Sequence, residues 1–160
     1  MNFEDYYEDF FPDLTPFEYK LEVPIPGVLN IGWLHRKHKF TVGDINEKFQ
    51  NKLKSFILNH DDGKVLINRL KAGVHMCPFC DKVDLILDAD GKQTYLTWAI
   101  LWIPSENNCF YASPAMLYHY IDEHNYKPPQ EYVDAVMRLK DDCKFSGQKQ
   151  YSELVGKYSE

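Results

Sequence analysis

Residues 75–80 read His75-Met76-Cys77-Pro78-Phe79-Cys80, and residues 119–124 read His119-Tyr120-Ile121-Asp122-Glu123-His124. Two residues between cysteines let both sulfurs turn toward one point, with the intervening amides free to donate to the thiolates. Four residues between the histidines fall inside the spacing of a zinc-binding histidine pair. A lone Cys-x-x-Cys is common, but a second pair of this type downstream is not. Cys77, Cys80, His119 and His124 are therefore the candidate metal ligands, and zinc is the expected ion. Four protein ligands close a tetrahedron and leave no water to activate, so a structural role is expected and no catalytic residue is assigned. The plainer alternative for each pair is buried histidines bonded to backbone and reduced core thiols. His75 could replace one of the histidines as ligand, or hydrogen-bond to a thiolate from outside the ligand set. Cys109 and Cys143 have no ligand partner nearby in sequence and read as structural thiols.

The 38 residues 81–118 separate the two pairs. Asp84 to Asp88 (DLILD) predicts a strand, Ala89-Asp90-Gly91-Lys92 a turn, and Thr94 to Ile103 (TYLTWAILWI) the returning strand of a hairpin. Pro104 to Asn108 predicts another turn. Ser113 can cap a helix with Pro114 at its first position. This helix runs to about His124 and is stopped by Asn125-Tyr126-Lys127-Pro128-Pro129. Knuckle, hairpin and helix in that order predict a zinc-finger-like or treble-clef-like second half. Residues five apart on a regular helix diverge by about 140°, so both rings can reach one ion only if the helix breaks at its end. A last helix is expected over Glu131 to Leu139.

Upstream, Val28 to Leu34 (VLNIGWL) has the β-branched and aromatic character of a strand. Asp44 offers an N-cap, with Glu47 completing a capping box. Ile45, Phe49, Leu53, Phe56 and Ile57 then recur at helical spacing, predicting about four turns that end near Asn59 to Gly63. Val65 to Leu70 is a short strand or a further half-turn. The first residues form a block of their own, carrying Glu4, Asp5, Glu8, Asp9, Asp13 and Glu18 among seven aromatics, with Lys20 the single cation. Pro24 and Pro26 keep the chain extended up to Gly27. The expected organisation is α+β: an arm over 1–26, one zinc-stapled domain over 27–140 and a polar tail over 141–160.

A chain of 160 residues with 44% apolar side chains can bury an ordinary core, so a metal staple is useful but not compulsory. A net charge of −6 argues against binding a phosphate backbone. The densest basic stretch, His35-Arg36-Lys37-His38-Lys39, reads as a solvated loop rather than a nucleic-acid patch. The N-terminus has no basic and apolar leader, and no apolar run approaches the ~20 residues of a membrane span. Four cysteines without an export signal point to a reducing cytoplasm. The expected function is a zinc-stabilised protein-interaction module, an immunity- or neutraliser-type binding protein being one form of it, with a basic protein as partner. The alternatives are a nucleic-acid-binding zinc module and a thiol-redox protein using Cys77 and Cys80. The redox alternative fits less well, since acidic Asp81 and Asp84 and a β-rich run follow Cys80 instead of a helix.

Gly32-Trp33-Leu34, the knuckle His75-x-Cys77-x-x-Cys80, and Tyr111-Ala112-x-Pro114-x(4)-His119-Tyr120-x(3)-His124-x-Tyr126-x-Pro128-Pro129 together resemble a family of small, functionally uncharacterised bacterial cytosolic proteins. The resemblance covers about residues 27 to 137. It implies shared structural roles for the two cysteines and two histidines, and it carries no activity or catalytic residue. The chain departs from it in the acidic aromatic arm and in a longer hairpin.

Overall fold

The run Ala99-Ile100-Leu101-Trp102-Ile103 has no polar face to offer water, and a strand of that kind belongs inside a covered sheet. In the computed structural model, which describes residues 10–17, 26–58, 67–69, 76–80, 85–89, 91–97, 99–106, 109–140, 149, 152–154 and 156, it takes that place. The elements in chain order are β1 Val28–Asn30, α1 Glu47–Leu58, β2 Ile67–Arg69, β3 Ile86–Ala89, β4 Lys92–Tyr95, β5 Ala99–Pro104, β6 Phe110–Pro114, α2 Leu117–His124 and α3 Gln130–Arg138. The main sheet has the order β1-β6-β5-β2, with β1 parallel to β6 and the other pairs antiparallel. β3 and β4 form a separate antiparallel hairpin. All three helices pack with these strands around one core, which makes the chain a single α+β domain.

The predicted return strand over 94–103 is two strands in two sheets. Thr94, Tyr95 and Leu96 alternate buried, exposed, buried, as a strand with one wet face does, whereas Ala99 to Ile103 are buried throughout. A turn at Leu96 and Thr97 separates them, closed by the Leu96 amide donating to the Leu85 carbonyl at 2.9 Å. The expected helix start at Ser113-Pro114 is also corrected. Residues 110–114 are strand β6, fully buried between β1 and β5. The Ser113 hydroxyl is within 3.2 Å of the Tyr132 hydroxyl in the core rather than capping a helix. α2 starts at Leu117, with Met116 at the N-cap position making no side-chain cap. Small residues explain the choice: Ala112 faces Trp102 across the β5–β6 ladder, and its carbonyl accepts the Trp33 indole N–H at 3.0 Å.

β1 ends at Asn30 instead of running to Leu34 because Gly32 turns the chain at φ +75°. A Cβ there would lie 2.5 Å from Leu117 Cδ1, so glycine is required both by the left-handed backbone and by the close approach of α2. The N-cap of α1 is Asn46, whose Oδ1 accepts the Lys48 amide at 2.7 Å; Asp44 and the capping box do not form it. The predicted apolar stripe does face inward at Phe49, Leu53, Phe56 and Ile57. At the other end of the core, the Lys52 ammonium donates to the carbonyls of Met137 and Leu139, tying α1 to the end of α3.

Residues 11–17 lie antiparallel along the free edge of β1. The amides of Leu14 and Phe17 donate to the carbonyls of Asn30 and Val28, and the Asn30 amide donates to the Thr15 carbonyl. Phe17 is fully buried, edge-on to Trp102 with centroids 5.6 Å apart. An exposed strand edge is a template for unwanted pairing, and this segment covers it. Among the described residues no helix is long and apolar enough to cross a membrane.

Candidate metal centre

α2 is an amphipathic helix that buries Leu117, Tyr120 and Ile121 and carries His119 on the same buried side. Its last residue is His124. Asn125 follows in the left-handed conformation (φ 56°, ψ 24°), which ends the helix, and the Tyr126 amide reaches back to the Tyr120 carbonyl at 3.1 Å. The chain after the break is held by residues 41–43. Val42 pairs with Tyr126, Gly43 donates to the Asn125 carbonyl, and Lys127 donates to the Thr41 carbonyl. The break that the histidine spacing demanded therefore falls directly after His124.

That break brings the two imidazoles together, with Nε2 to Nε2 at 3.2 Å. Cys80 Sγ is 3.3 Å from both Nε2 atoms, and Cys77 Sγ is 3.5 Å from His124 Nε2. All four ligand atoms lie within 4.8 Å of one another. A zinc tetrahedron with bonds of about 2.3 Å to sulfur and about 2.05 Å to nitrogen has S···N edges of about 3.6 Å and an N···N edge of about 3.3 Å. The measured separations match those edges to within a few tenths of an ångström. The cluster is compatible with a metal site of the zinc-finger-like kind, built from a knuckle and the end of a helix. His75 and Cys143 lie outside the described residues, and Cys109, in the β5–β6 connection, is not part of the group.

The surroundings are nearly dry. Cys77 and His119 are buried, and Phe79 packs against His124, Tyr120 and Phe40 at centroid distances of 5.2, 5.9 and 5.3 Å. Burial pushes the Cys77 thiol up to about 12, with the neighbouring Cys80 adding to the rise and the Phe79 amide opposing it. Four lone-pair atoms with no cation among them are poorly stabilised in such a place. A divalent ion reverses the balance, because a coordinated thiol is held as thiolate. Two thiolates and one such ion leave the centre without net charge. The metal fits the donor set.

Two polar residues near the site carried no sequence signal. Arg36, read as part of a solvated basic loop, donates from Nε (3.1 Å) and Nη2 (2.7 Å) to the Pro78 carbonyl inside the knuckle. Asp13, read as one acid among many in the arm, accepts the Gly32 amide at 2.8 Å and the Tyr126 hydroxyl at 2.7 Å. Burial raises the Asp13 carboxyl above its ordinary value, opposed by these two hydrogen bonds. Nothing in the sequence pairs Arg36 with a proline 42 positions later, or Asp13 with a tyrosine 113 positions later.

Residues 9–137 match the family described as Domain of unknown function (DUF7919). The chain belongs to this family. The match includes all four clustered side chains, Arg36 and Tyr126. It begins at residue 9 and so takes in Phe10 to Phe17, which sequence reading had placed outside the resembling stretch. No curated protein and no solved structure matches the chain.

Proposed function

We propose that this protein is a zinc-stapled interaction module whose metal holds the knuckle to the end of α2 and whose partner is a basic protein. The reading rests on one observation above the others: Cys77, Cys80, His119 and His124 converge with the edge lengths of a closed tetrahedron. A closed Cys2His2 set favours zinc over softer or oxygen-seeking ions, and it suits a structural role. The net charge of −6 supports a basic partner. So does the groove between the hairpin and α2, about 340 Å³, whose charged lining residues besides His119 are Asp122 and Glu123. Ile86 and Tyr95, directly opposite each other in the β3–β4 register, are 45% and 52% exposed on the same hairpin. An apolar pair beside acids is what a basic protein surface would cover. A bacterial, reducing cytoplasm is the setting this reading carries, with neutralisation of a toxin or nuclease as the form of action.

The test compares capture from host extract by the zinc-loaded wild type and by a variant carrying Asp122→Lys, Glu123→Lys and Tyr95→Ser. A basic protein retained by the first and lost by the second supports the reading. Recovery of the same proteins by both, or of none, refutes the partner while leaving the metal centre to be judged by its own assay.

A further inference from the structure

The knuckle peptide between Pro78 and Phe79 is held from both sides. Its carbonyl oxygen accepts two N–H groups of one guanidinium, Arg36 Nε at 3.1 Å and Nη2 at 2.7 Å. Its N–H, that of Phe79, donates to Cys77 Sγ at 3.4 Å. No peptide bond among the described residues is cis, so the oxygen and the N–H of this unit point in opposite directions within one plane. Turning the plane away from Arg36 necessarily turns the amide away from the sulfur.

We propose that Arg36 is a positioning residue for the metal centre: its guanidinium fixes and polarises the Pro78–Phe79 peptide so that the Phe79 N–H stabilises Cys77 as a thiolate ligand. The proposal rests on the zinc reading of the site. Two consequences follow from the geometry. The guanidinium limits the rotation that would otherwise let the knuckle sample orientations with the amide turned away from sulfur. A charged donor on the carbonyl also draws density through the amide, which strengthens the N–H···S hydrogen bond at its other end. Arg36 thereby brings a positive charge to bear on Cys77 without contacting the metal. Lysine could supply the charge but not the planar fork that places two N–H groups on one oxygen. Within His35 to Lys39, this gives Arg36 a task distinct from that of its exposed neighbour Lys39.

The experiment measures zinc affinity by competition with a chromophoric chelator, and the absorption of the cobalt(II)-substituted protein, for the wild type, Arg36→Met, Arg36→Lys and Lys39→Met. Interactions that orient metal ligands from outside the ligand set are worth about 10–100-fold in affinity. Arg36→Met is expected to lose about that factor and Arg36→Lys a smaller part of it, while Lys39→Met stays within about twofold of wild type. With the N–H···S bond weakened, more charge remains on the Cys77 sulfur, so the thiolate-to-cobalt band of Arg36→Met moves to longer wavelength. A merely structural role would change stability without moving that band. Equal affinity and an unmoved band in Arg36→Met overturn the proposal while the zinc reading stands. Equal losses in Arg36→Met and Lys39→Met overturn it too, because they would show a general charge effect. A wild type that takes up neither metal removes the zinc reading and the proposal with it. Where Arg36→Met does not fold, the Arg36→Lys affinity and band decide by the same criteria.

Discussion

Gly32→Ala is expected to be among the most damaging single-methyl changes in this chain. Gly32 stands at φ +75°, where a Cβ costs about 1–2 kcal/mol. The new methyl would also lie 2.5 Å from Leu117 Cδ1 and 3.4 Å from Leu117 Cβ. Leu117 is fully buried, so its side chain has no open space to swing into, and overpacking of a closed core costs about 1–3 kcal/mol. Together the change should cost about 2–5 kcal/mol. For a domain of this size that corresponds to a fall in Tm of about 4–20 °C. The assay is urea and thermal unfolding by circular dichroism in excess zinc, run as a double-mutant cycle with Leu117→Ala. In the Leu117→Ala background the overcrowding vanishes and only the backbone strain remains, so Gly32→Ala should cost about 1–3 kcal/mol less there. Costs below about 1 kcal/mol, or equal costs in both backgrounds, would refute the packing of Gly32 against the first turn of α2.

Three further outcomes are expected. Ser113→Ala leaves the buried Tyr132 hydroxyl without its partner and should cost about 1–3 kcal/mol, whereas Ser113→Ala with Tyr132→Phe should cost less than the sum of the singles; additivity in urea unfolding would contradict the pairing. Asp13 has a folded-state pKa above 3.8, so its protonated form is the one favoured by folding, and its contribution is fullest below the unfolded pKa and is lost as pH rises through the folded value. Asp13→Asn should therefore gain on the wild type as pH is raised from about 4, the gain levelling off above the folded pKa, and a stability difference that is flat with pH, or runs the other way, would disprove the buried carboxylate. Removing zinc with a strong chelator should lower Tm by about 8–16 °C if free zinc had stood about a thousandfold above its Kd, with Cys77→Ser and His119→Ala showing the same loss and no response to the chelator.

The sequence carried the metal cluster in full because its signal is local. Cys-x-x-Cys and His-x(4)-His state their own geometry, and the broken helix that His119 and His124 require was legible from Asn125 to Pro129. The α+β class and the stripe of α1 were legible for the same reason, since Phe49, Leu53, Phe56 and Ile57 repeat at helical spacing. What failed was choice between local options that tertiary structure decides. Ser113-Pro114 is a sound helix start in isolation, but Ala112 and Ser113 are needed where Trp33, Trp102 and Tyr132 crowd the inner strands. Asp44 and Asn46 are both good caps, and only the path of the incoming chain selects Asn46. TYLTWAILWI contained its own division, alternating before Leu96 and continuous after Ala99, but the common β character of both halves concealed it. Arg36 and Asp13 could not have been read at all, because each acts on a residue brought close only by the finished fold.

The measurement that tests the central claim most directly is zinc K-edge X-ray absorption on protein expressed without a histidine tag, with metal content determined on the same sample. The account predicts one zinc per chain, with two sulfur neighbours at about 2.3 Å, two imidazole nitrogens at about 2.0–2.1 Å and no oxygen. A folded protein without zinc, or a zinc shell containing oxygen or only one sulfur, would contradict it.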